Sequence, residues 1–246
     1  MKERGFSDSQ HSTIAALIMS SITANLQAVR QRIATAARAA GRPADSVRLI
    51  AVSKTFASGA VREAALSGLR DFGENYVTEG VEKIDELHGL GLIWHYIGPI
   101  QSNKTRLIAE HFDWVHSIDR EKIAVRLSQA RGAGQTELQV CIQVNVSGEA
   151  SKSGAAPGDV APLARKVADM PRMRLRGLMA IPEPTSDERL QRGRFAQLRA
   201  LRDELNRGGL ALDTLSMGMS ADLEAAIAEG ATMVRVGTAI FGERKS

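Results

Sequence analysis

The sequence predicts a single closed (β/α)8 barrel, an α/β fold, preceded by an extra N-terminal helix. Eight short apolar runs, each of the length typical of buried parallel strands, alternate with helical periodicity over about 200 residues. Several runs end in polar or glycine-containing segments, which is typical of the carboxyl-terminal face of such barrels. No Gly-x-Gly-x-x-Gly pattern follows the first run, so an open dinucleotide-binding sheet is disfavoured.

Each predicted strand is a β-branched or aliphatic run bounded by turn-forming residues. The first run ends in a lysine, and the third ends at a Gly-Pro pair. The eight predicted strands are Val47–Lys54, Arg70–Gly73, Leu92–Ile97, Trp114–Ile118, Leu138–Val146, Leu175–Ile181, Thr214–Met217 and Met233–Val236.

The predicted helices are marked by apolar residues at helical spacing before and between these strands. An opening helix with apolar residues from Ile22 to Ile33 stops near Gly41, and Ser58 is the predicted N-cap of the next helix. The later helices are marked, in chain order, by Val77 and Val81, Leu107 and Ile108, Ile123 and Leu127, Val160 and Leu163, Leu198 and Leu201, Leu223 and Ile227, and a closing turn at Thr238–Phe241.

The first 18 residues differ from the rest of the chain. They are polar and irregular, with a short apolar patch that lacks the basic start of a signal peptide, so we expect residues 1–18 to be a disordered extension. Regular periodicity begins after Met19, which is an alternative start. Residues 19–246 are then expected to form one barrel domain.

Composition narrows the expected partners. Of 246 residues, 43% are hydrophobic, and no apolar run approaches the roughly 18 residues of a membrane span. The net charge of +4 comes from 32 basic and 28 acidic residues that are interspersed along the helices. Because no basic block forms, neither nucleic acid nor a membrane is an expected partner. The single cysteine, Cys141, lies in an apolar run, which predicts a buried thiol and suits a reducing cytoplasm.

Lys54 is the first candidate for a functional side chain, because ligand-binding groups of barrels lie just past the carboxyl ends of strands. The alternative is a lysine that merely marks where the strand meets water. Barrel closure makes the first and eighth strands neighbours, so Lys54 and Arg235 are expected in one mouth. Residues 216–220 and 237–238 combine glycines and hydroxyl groups where barrels commonly bind phosphate. These features predict a phosphorylated ligand near a lysine.

Seven sequence blocks resemble the signature blocks of the pyridoxal phosphate homeostasis protein family, and they occur in order across most of the chain. The blocks are Ala51–Thr55, Phe72–Tyr76, Trp94–Lys104, Ser151–Gly154, Gly177–Met179, Leu215–Asp222 and Val234–Gly242. The resemblance implies a barrel similar to the N-terminal domain of bacterial alanine racemase. It also implies that pyridoxal 5′-phosphate (PLP) is held as a Schiff base.

The resemblance further assigns roles to individual residues. The implied cofactor-binding residues are Lys54, Asn75, Ser216, Ser220, Arg235, Gly237 and Thr238. Lys54 would be the covalent anchor, since an imine forms from a neutral amine and a nearby cation favours that form. Arg235 would face the pyridine nitrogen, and the hydroxyl and main-chain donors would bind the phosphate without a metal ion.

Structural alternatives remain open for three of these residues. Arg235 could instead form an ion pair with Glu74 or Asp222. Ser220 could be only a helix N-cap, and Asn75 could order its own loop.

Two other residues near these blocks are weighed differently. His95 is expected to be a packed residue of the barrel interior. Lys152 is a candidate second lysine near the mouth, and the favoured alternative is a lysine on a solvated loop.

Three functional classes fit these residues: a PLP carrier, a PLP-dependent racemase, and a sugar-phosphate enzyme with a Schiff-base lysine. In the last class the lysine typically follows a middle strand, whereas Lys54 ends the first. Racemisation also needs a second acid–base group. In alanine racemase, which the resemblance brings into comparison, this group is a tyrosine from a second β domain of the partner subunit, and we expect this chain to end just after the barrel. We therefore expect a monomeric, non-enzymatic protein, with no catalytic or metal-binding residues, that buffers PLP and supplies it to apo-enzymes.

Overall fold

The computed structural model describes residues 8–149 and 153–243, with side chains from residue 21 onward. Eight parallel strands form a closed barrel in which spatial order follows chain order, and β1 hydrogen-bonds to β8. The predicted (β/α)8 barrel and the extra helix before its first strand are confirmed.

The elements alternate along the chain as the periodicity indicates. The strands are β1 Arg48–Val52, β2 Asp71–Glu74, β3 Ile93–Tyr96, β4 Trp114–Ile118, β5 Leu138–Gln143, β6 Met173–Met179, β7 Thr214–Ser216 and β8 Met233–Val236. The helices are α1 Asp8–Ala39, α2 Ser58–Leu66, α3 Val77–Glu86, α4 Thr105–His111, α5 Glu121–Ala130, α6 Pro157–Ala168, α7 Glu188–Arg207, α8 Leu223–Ala228 and α9 Thr238–Phe241.

Some predicted boundaries are wrong by a few residues. β5 ends at Gln143 instead of Val146, because the main chain of residues 143–145 turns to pair with Ala155. β1 ends at Val52, so Lys54 follows the strand by two residues. Ser58 is the first residue of α2, and Ala57 takes the N-cap position.

Helix α1 covers the outside of the barrel where β1 meets β8. Its apolar face from Ile22 to Ala37 is buried, and the helix packs against α2, α8 and α9. Residues 8–18, which the sequence predicts to be part of a disordered extension, belong to α1, and residues 1–7 lie outside the described part of the chain. The division of the chain at residue 19 stays a prediction.

The core has two parts. A large apolar cluster fills the space between the strands and the helices. A smaller cluster inside the barrel contains Ile50, Trp114, Cys141, Met179 and Met233. Cys141 is buried as predicted, and burial raises the pKa of its thiol to about 12, so the thiol stays protonated near neutral pH. In the part of the chain that the structure describes, no helix has the length and apolar character needed to cross a membrane.

Close packing of β6 against β7 predicts a severe effect of one small substitution. A methyl group at Gly177 would collide with the main chain of Thr214, which cannot move without breaking the sheet. We expect Gly177→Ala to lower the free energy of unfolding by about 3 kcal/mol. Gly193→Ala is the control, because a methyl group there meets open space inside α7 and should stabilise the helix by about 0.5–1 kcal/mol. Urea unfolding followed by circular dichroism measures both, and equal effects would contradict the packing argument.

Candidate functional site

A cavity of about 280 Å³ opens at the carboxyl-terminal face of the barrel. The predicted site residues that line it are Lys54, Asn75, Ser220, Arg235, Gly237 and Thr238. The remaining wall is largely apolar and includes Val52, Ile97 and Ile181. The structure therefore brings together six of the seven residues that the sequence singles out, and Ser216 is the exception.

The backbone on both sides of Lys54 is held firmly. Ser53 extends the ladder beyond β1, since its N–H donates to Gly73 O at 3.0 Å. Thr55 has a φ of +69°, which a β-branched residue rarely adopts. Such a conformation persists only where neighbouring interactions enforce it. Lys54 itself is half-buried, with its side chain at the cavity wall.

A buried ionic cluster supplies that enforcement. Lys83 on α3 donates to Glu74 Oε1 at 2.8 Å and to Glu79 Oε1 at 2.6 Å. The same ammonium group donates to Ser53 O at 2.7 Å, and the Ser53 hydroxyl donates to Glu74 at 2.6 Å. On the other side of Lys54, the N–H of Thr55 donates to Glu79 at 2.5 Å. The cluster therefore fixes the residues immediately before and after Lys54.

The burial of this cluster makes its pairing essential. The side chain of Glu74 is fully buried, and that of Lys83 is 5% exposed. Burial raises the pKa of Glu74, and the hydrogen bond and charge of Lys83 oppose that rise. Sequence reasoning missed Lys83 and Glu79, although their spacing of four residues on one helix is a recognisable ion-pair signal.

Arg235 is held in the barrel interior with its guanidinium at the cavity floor. One terminal nitrogen donates to Ser216 Oγ at 2.6 Å, and the other donates to Ala180 O at 2.9 Å. Burial lowers the pKa of Arg235 to about 10, and the charge of Asp222 opposes that shift, so the group remains a cation near neutral pH.

The alternative ion pairs of Arg235 are not found among the described residues. Glu74 pairs with Lys83 instead, and Asp222 accepts a hydrogen bond from the N–H of Met219 at 2.6 Å. Arg235 thus keeps further N–H donors for the cavity beyond the two hydrogen bonds of its terminal nitrogens, since a guanidinium has five.

Ser216 lies below the cavity and does not line it. Its side chain is fully buried, and its hydroxyl lies 2.6 Å from Arg235 and 2.8 Å from His116 Nδ1. The resemblance assigns it to the phosphate, but this placement gives its hydroxyl to Arg235. This position follows from strand register, because β7 ends at Ser216 and its side chain lies inside the barrel beside His116 and Arg235.

The segments after β7 and β8 form one side of the cavity. Gly218 has a φ of +93°, and a methyl group there would come within 2.5 Å of Ala226, so the loop can approach α8 only with glycine. A methyl group at Gly237 would lie 3.1 Å from Val52 O, so glycine keeps β1 close to this turn. Asp222 is the N-cap residue of α8, so the alternative role of Ser220 as N-cap is not observed.

Asn75 presents a buried oxygen to the cavity. Its Oδ1 has no hydrogen-bond partner among the described residues, which is costly unless a ligand supplies a donor. Its main chain is also fixed, because Tyr96 Oη lies 3.2 Å from Asn75 O, and a methyl group at Gly98 would collide with Asn75. The loop-ordering role therefore belongs to the main chain of Asn75, and the side chain faces the cavity.

His95 and Lys152 were considered separately from the predicted cofactor-binding residues. His95 is fully buried inside the barrel, as expected for a packed residue, and hydrogen-bonds to Asp71 and His116. Lys152 lies outside the described residues.

Comparison with known proteins agrees with this geometry. The profile of the family described as "Alanine racemase, N-terminal domain" matches residues 24–245. Alanine racemase from Corynebacterium glutamicum has the same fold, with a TM-score of 0.68 and 15% identity over 92% of this chain and 62% of its own. The fold and the mouth therefore define a barrel of the alanine racemase N-terminal class.

More similar proteins narrow the family. The pyridoxal phosphate homeostasis protein of Pseudomonas aeruginosa is 63% identical over 226 residues, which cover 92% of this chain and 97% of that protein. The structure of PipY from Synechococcus elongatus with PLP bound matches with a TM-score of 0.79 and 38% identity, covering 90% of this chain and all of that one. The chain belongs to the pyridoxal phosphate homeostasis protein family.

The ionic cluster predicts a large cost for removing its cation. Lys83→Met leaves the Glu74 carboxylate buried and unpaired, so we expect a loss of about 3 kcal/mol in the free energy of unfolding at neutral pH. Because burial raises the pKa of Glu74, the folded variant favours the protonated acid. Its stability should therefore fall as pH rises above the ordinary glutamate value, and recover on acidification.

An exposed ion pair provides the matched control for this substitution. Lys166→Met removes a pair with Glu121 in which both side chains are about half exposed, and should cost about 0.5 kcal/mol or less. Urea unfolding across a pH series measures both variants. A Lys83→Met protein as stable as the control at neutral pH would show that the cluster does not hold this turn.

Proposed function

We propose that this protein binds PLP in the mouth cavity, with the cofactor attached to Lys54, and acts in PLP homeostasis by buffering the cofactor and supplying it to apo-enzymes. The observation that carries the proposal is the convergence of Lys54, Asn75 and Arg235 on one cavity whose rim carries hydroxyl and main-chain donors. The names of the relatives support it, since they are called pyridoxal phosphate homeostasis proteins and one solved relative contains PLP.

The residues present fit the chemical groups of PLP. The cofactor brings an aldehyde, with which a lysine amine forms a Schiff base with loss of water, and a phosphate group. Lys54 would supply the amine. Ser220, Thr238 and the N–H of Gly237 would bind the phosphate, and Asn75 Oδ1 would accept a hydrogen bond from a cofactor donor. Ser216 leaves the proposed phosphate set and instead holds Arg235 in place.

Arg235 would set the electronic character of bound PLP. A guanidinium can donate a hydrogen bond to the pyridine nitrogen, but it has no lone pair available to accept the pyridinium proton. The pyridine then remains neutral, and a neutral pyridine withdraws electrons less strongly than a pyridinium. This choice of residue favours storage of the cofactor over carbanion chemistry.

A second acid–base group for racemisation is also missing from the described cavity wall, where Lys54 and Arg235 are the titratable side chains. Tyr96 is 2% exposed, burial raises its pKa to about 12, and its hydroxyl lies 3.0 Å from Pro99 O. Tyr76 points outward and is 56% exposed. We therefore propose a carrier and not a racemase, although the two share a fold.

The proposal also covers the cellular compartment, the partners and the oligomeric state of the protein. A buried, protonated Cys141 and the absence of any second cysteine in the sequence suit a reducing compartment, so we place its action in the cytoplasm. The proposed partners are PLP and PLP-dependent apo-enzymes, and the proposed state is a monomer.

Reductive trapping tests the anchor. Borohydride treatment of the PLP-loaded protein, followed by peptide mass mapping, should place the pyridoxyl group on Lys54. Lys54→Ala should lose the near-visible absorbance of the Schiff base, and its affinity for PLP should fall at least tenfold. Lys104→Ala is the control, since Lys104 lies in the short helical turn Ser102–Lys104, and it should behave like the unaltered protein. A main adduct on Lys104 or Lys152 would refute the assignment of Lys54.

The carrier function predicts negligible racemisation, because the cavity offers one amine as a base and would place an arginine at the pyridine nitrogen of PLP. With saturating PLP, deuterium exchange at Cα of L-alanine should be no faster than with Lys54→Ala. The loaded protein should restore activity to an apo-enzyme that requires PLP, and Lys54→Ala should not. Rapid exchange that depends on Lys54, without any transfer of PLP, would instead make the protein a racemase.

A further inference from the structure

A continuous line of polar side chains crosses the barrel interior from the cavity floor to the opposite end. Arg235 contacts Ser216 Oγ at 2.6 Å, and Ser216 contacts His116 Nδ1 at 2.8 Å. His116 Nε2 lies 3.0 Å from His95 Nδ1, and His95 Nε2 lies 2.9 Å from Asp71 Oδ1. Four successive hydrogen bonds thus join a cation on β8 to a carboxylate at the start of β2.

The middle of this line is sealed from water. Ser216, His116 and His95 are fully buried, and Trp114 stacks on His95 with a ring separation of 5.6 Å. The lower end approaches solvent, where the Asp71 side chain is 14% exposed and contacts Arg48 at 3.4 Å, and the upper end reaches the cavity floor at Arg235. Buried polar groups of this kind are costly unless each one is satisfied, so the donors and acceptors must match along the whole line.

The two ends determine the direction of every hydrogen bond between them. Arg235 can only donate, so Ser216 accepts from it, and the hydroxyl keeps its own proton. At the other end Asp71 can only accept, which through two neutral rings makes His116 Nδ1 the acceptor of that Ser216 proton. A neutral His116 then carries its proton on Nε2 and donates to His95 Nδ1. His95 likewise carries its proton on Nε2 and donates to the Asp71 carboxylate, which can only accept.

The charged groups around the histidines are consistent with this direction. Burial lowers the pKa of both rings, and Arg235 and His95 lower that of His116 further. His95 also faces Arg48, Asp71 and Asp113, and both carboxylates oppose its shift. The opposite direction would need Asp71 Oδ1 to donate to His95, whereas the same oxygen accepts from Arg48 at 3.4 Å.

We propose that Asp71, His95, His116 and Ser216 are positioning residues that act through Arg235: they form a hydrogen-bond relay with one fixed direction, which orients the guanidinium and couples it to the charge of Asp71. The effect on bound PLP rests on the proposed function, but the relay itself belongs to the protein without ligand. Groups at the base of the barrel can then influence the cavity at its mouth.

Nitrogen-15 NMR of the ligand-free protein tests the relay directly. Long-range proton–nitrogen spectra should show His95 and His116 as neutral Nε2–H tautomers from pH 6 to 8, because both rings sit between a donor and an acceptor. An Nδ1–H tautomer or an imidazolium at either ring would overturn the proposal. The spectra need no cofactor, so a protein that fails to bind PLP would refute the proposed function and leave this result intact.

A serine variant and a matched control test whether a change at one end of the relay reaches residues that it does not contact. Ser216→Ala should alter the ring signals of His95, which Ser216 does not contact, as well as those of His116. Ser128→Ala also removes a buried serine hydroxyl, which donates to Pro171 O at 2.8 Å outside the relay, and should leave both rings unchanged. A Ser216→Ala effect confined to His116 would overturn the coupling.

The PLP-loaded protein gives a spectroscopic readout of the charge at the far end. The near-visible absorbance of the PLP–Lys54 Schiff base should change with pH as the Schiff base gains or loses a proton. Removing a negative charge disfavours protonation of coupled groups, so Asp71→Asn should move the midpoint of this change to lower pH. Arg48→Met is the control for the Asp71–Arg48 ion pair, since it removes that pair but keeps the carboxylate, and should not lower the midpoint. An unchanged midpoint in Asp71→Asn would overturn the proposed coupling to the cavity.

Discussion

The hydrogen bonding of β1 to β8 is the constraint on which the site depends. Ile50 pairs with Arg235 and Ala51 with Val236, so closing the barrel sets the strand that leads to Lys54 beside the strand that carries Arg235. These strands are separated by most of the chain, and the entropy of that closure is offset only by the continuous apolar layers inside and outside the barrel. The mouth cavity therefore forms only when the whole barrel forms, and no shorter segment could contain it.

Two buried groups of polar side chains then orient Lys54 and Arg235, which barrel closure brings close together. The cluster around Lys83 fixes the turn that presents Lys54, and the line from Ser216 to Asp71 holds Arg235. Both place charged groups where desolvation is expensive, so each residue depends on its partners. Apolar side chains in these places could not orient Lys54 or Arg235, and removing a single partner leaves a buried polar group unpaired.

The fold and most of the residues that line the cavity could be predicted from the sequence. Strand length and helical spacing identify the barrel, and Lys54, Arg235 and the polar segments after β7 and β8 point to its mouth. The family resemblance supplies the full set of candidate residues, of which six line the cavity. The place of Ser216 below the cavity was not foreseen, because a position at a strand end does not reveal which way the side chain points. His116 and the pairing of Lys83 with Glu74 were not predicted, since these partners lie on other elements and spacing does not determine side-chain geometry. The Lys83–Glu79 spacing on α3 was the local signal that was missed.

A crystal structure of the complex is the most direct test of whether this mouth would hold PLP through Lys54, with Arg235 facing the pyridine nitrogen. Alanine racemase shares the fold, so the fold alone does not decide the chemistry, and the cofactor must be located. We expect continuous density from Lys54 Nζ to the cofactor, a hydrogen bond from Arg235 to the pyridine nitrogen, and the phosphate against Ser220, Gly237 and Thr238. PLP attached to another lysine, or a phosphate outside this cavity, would contradict it.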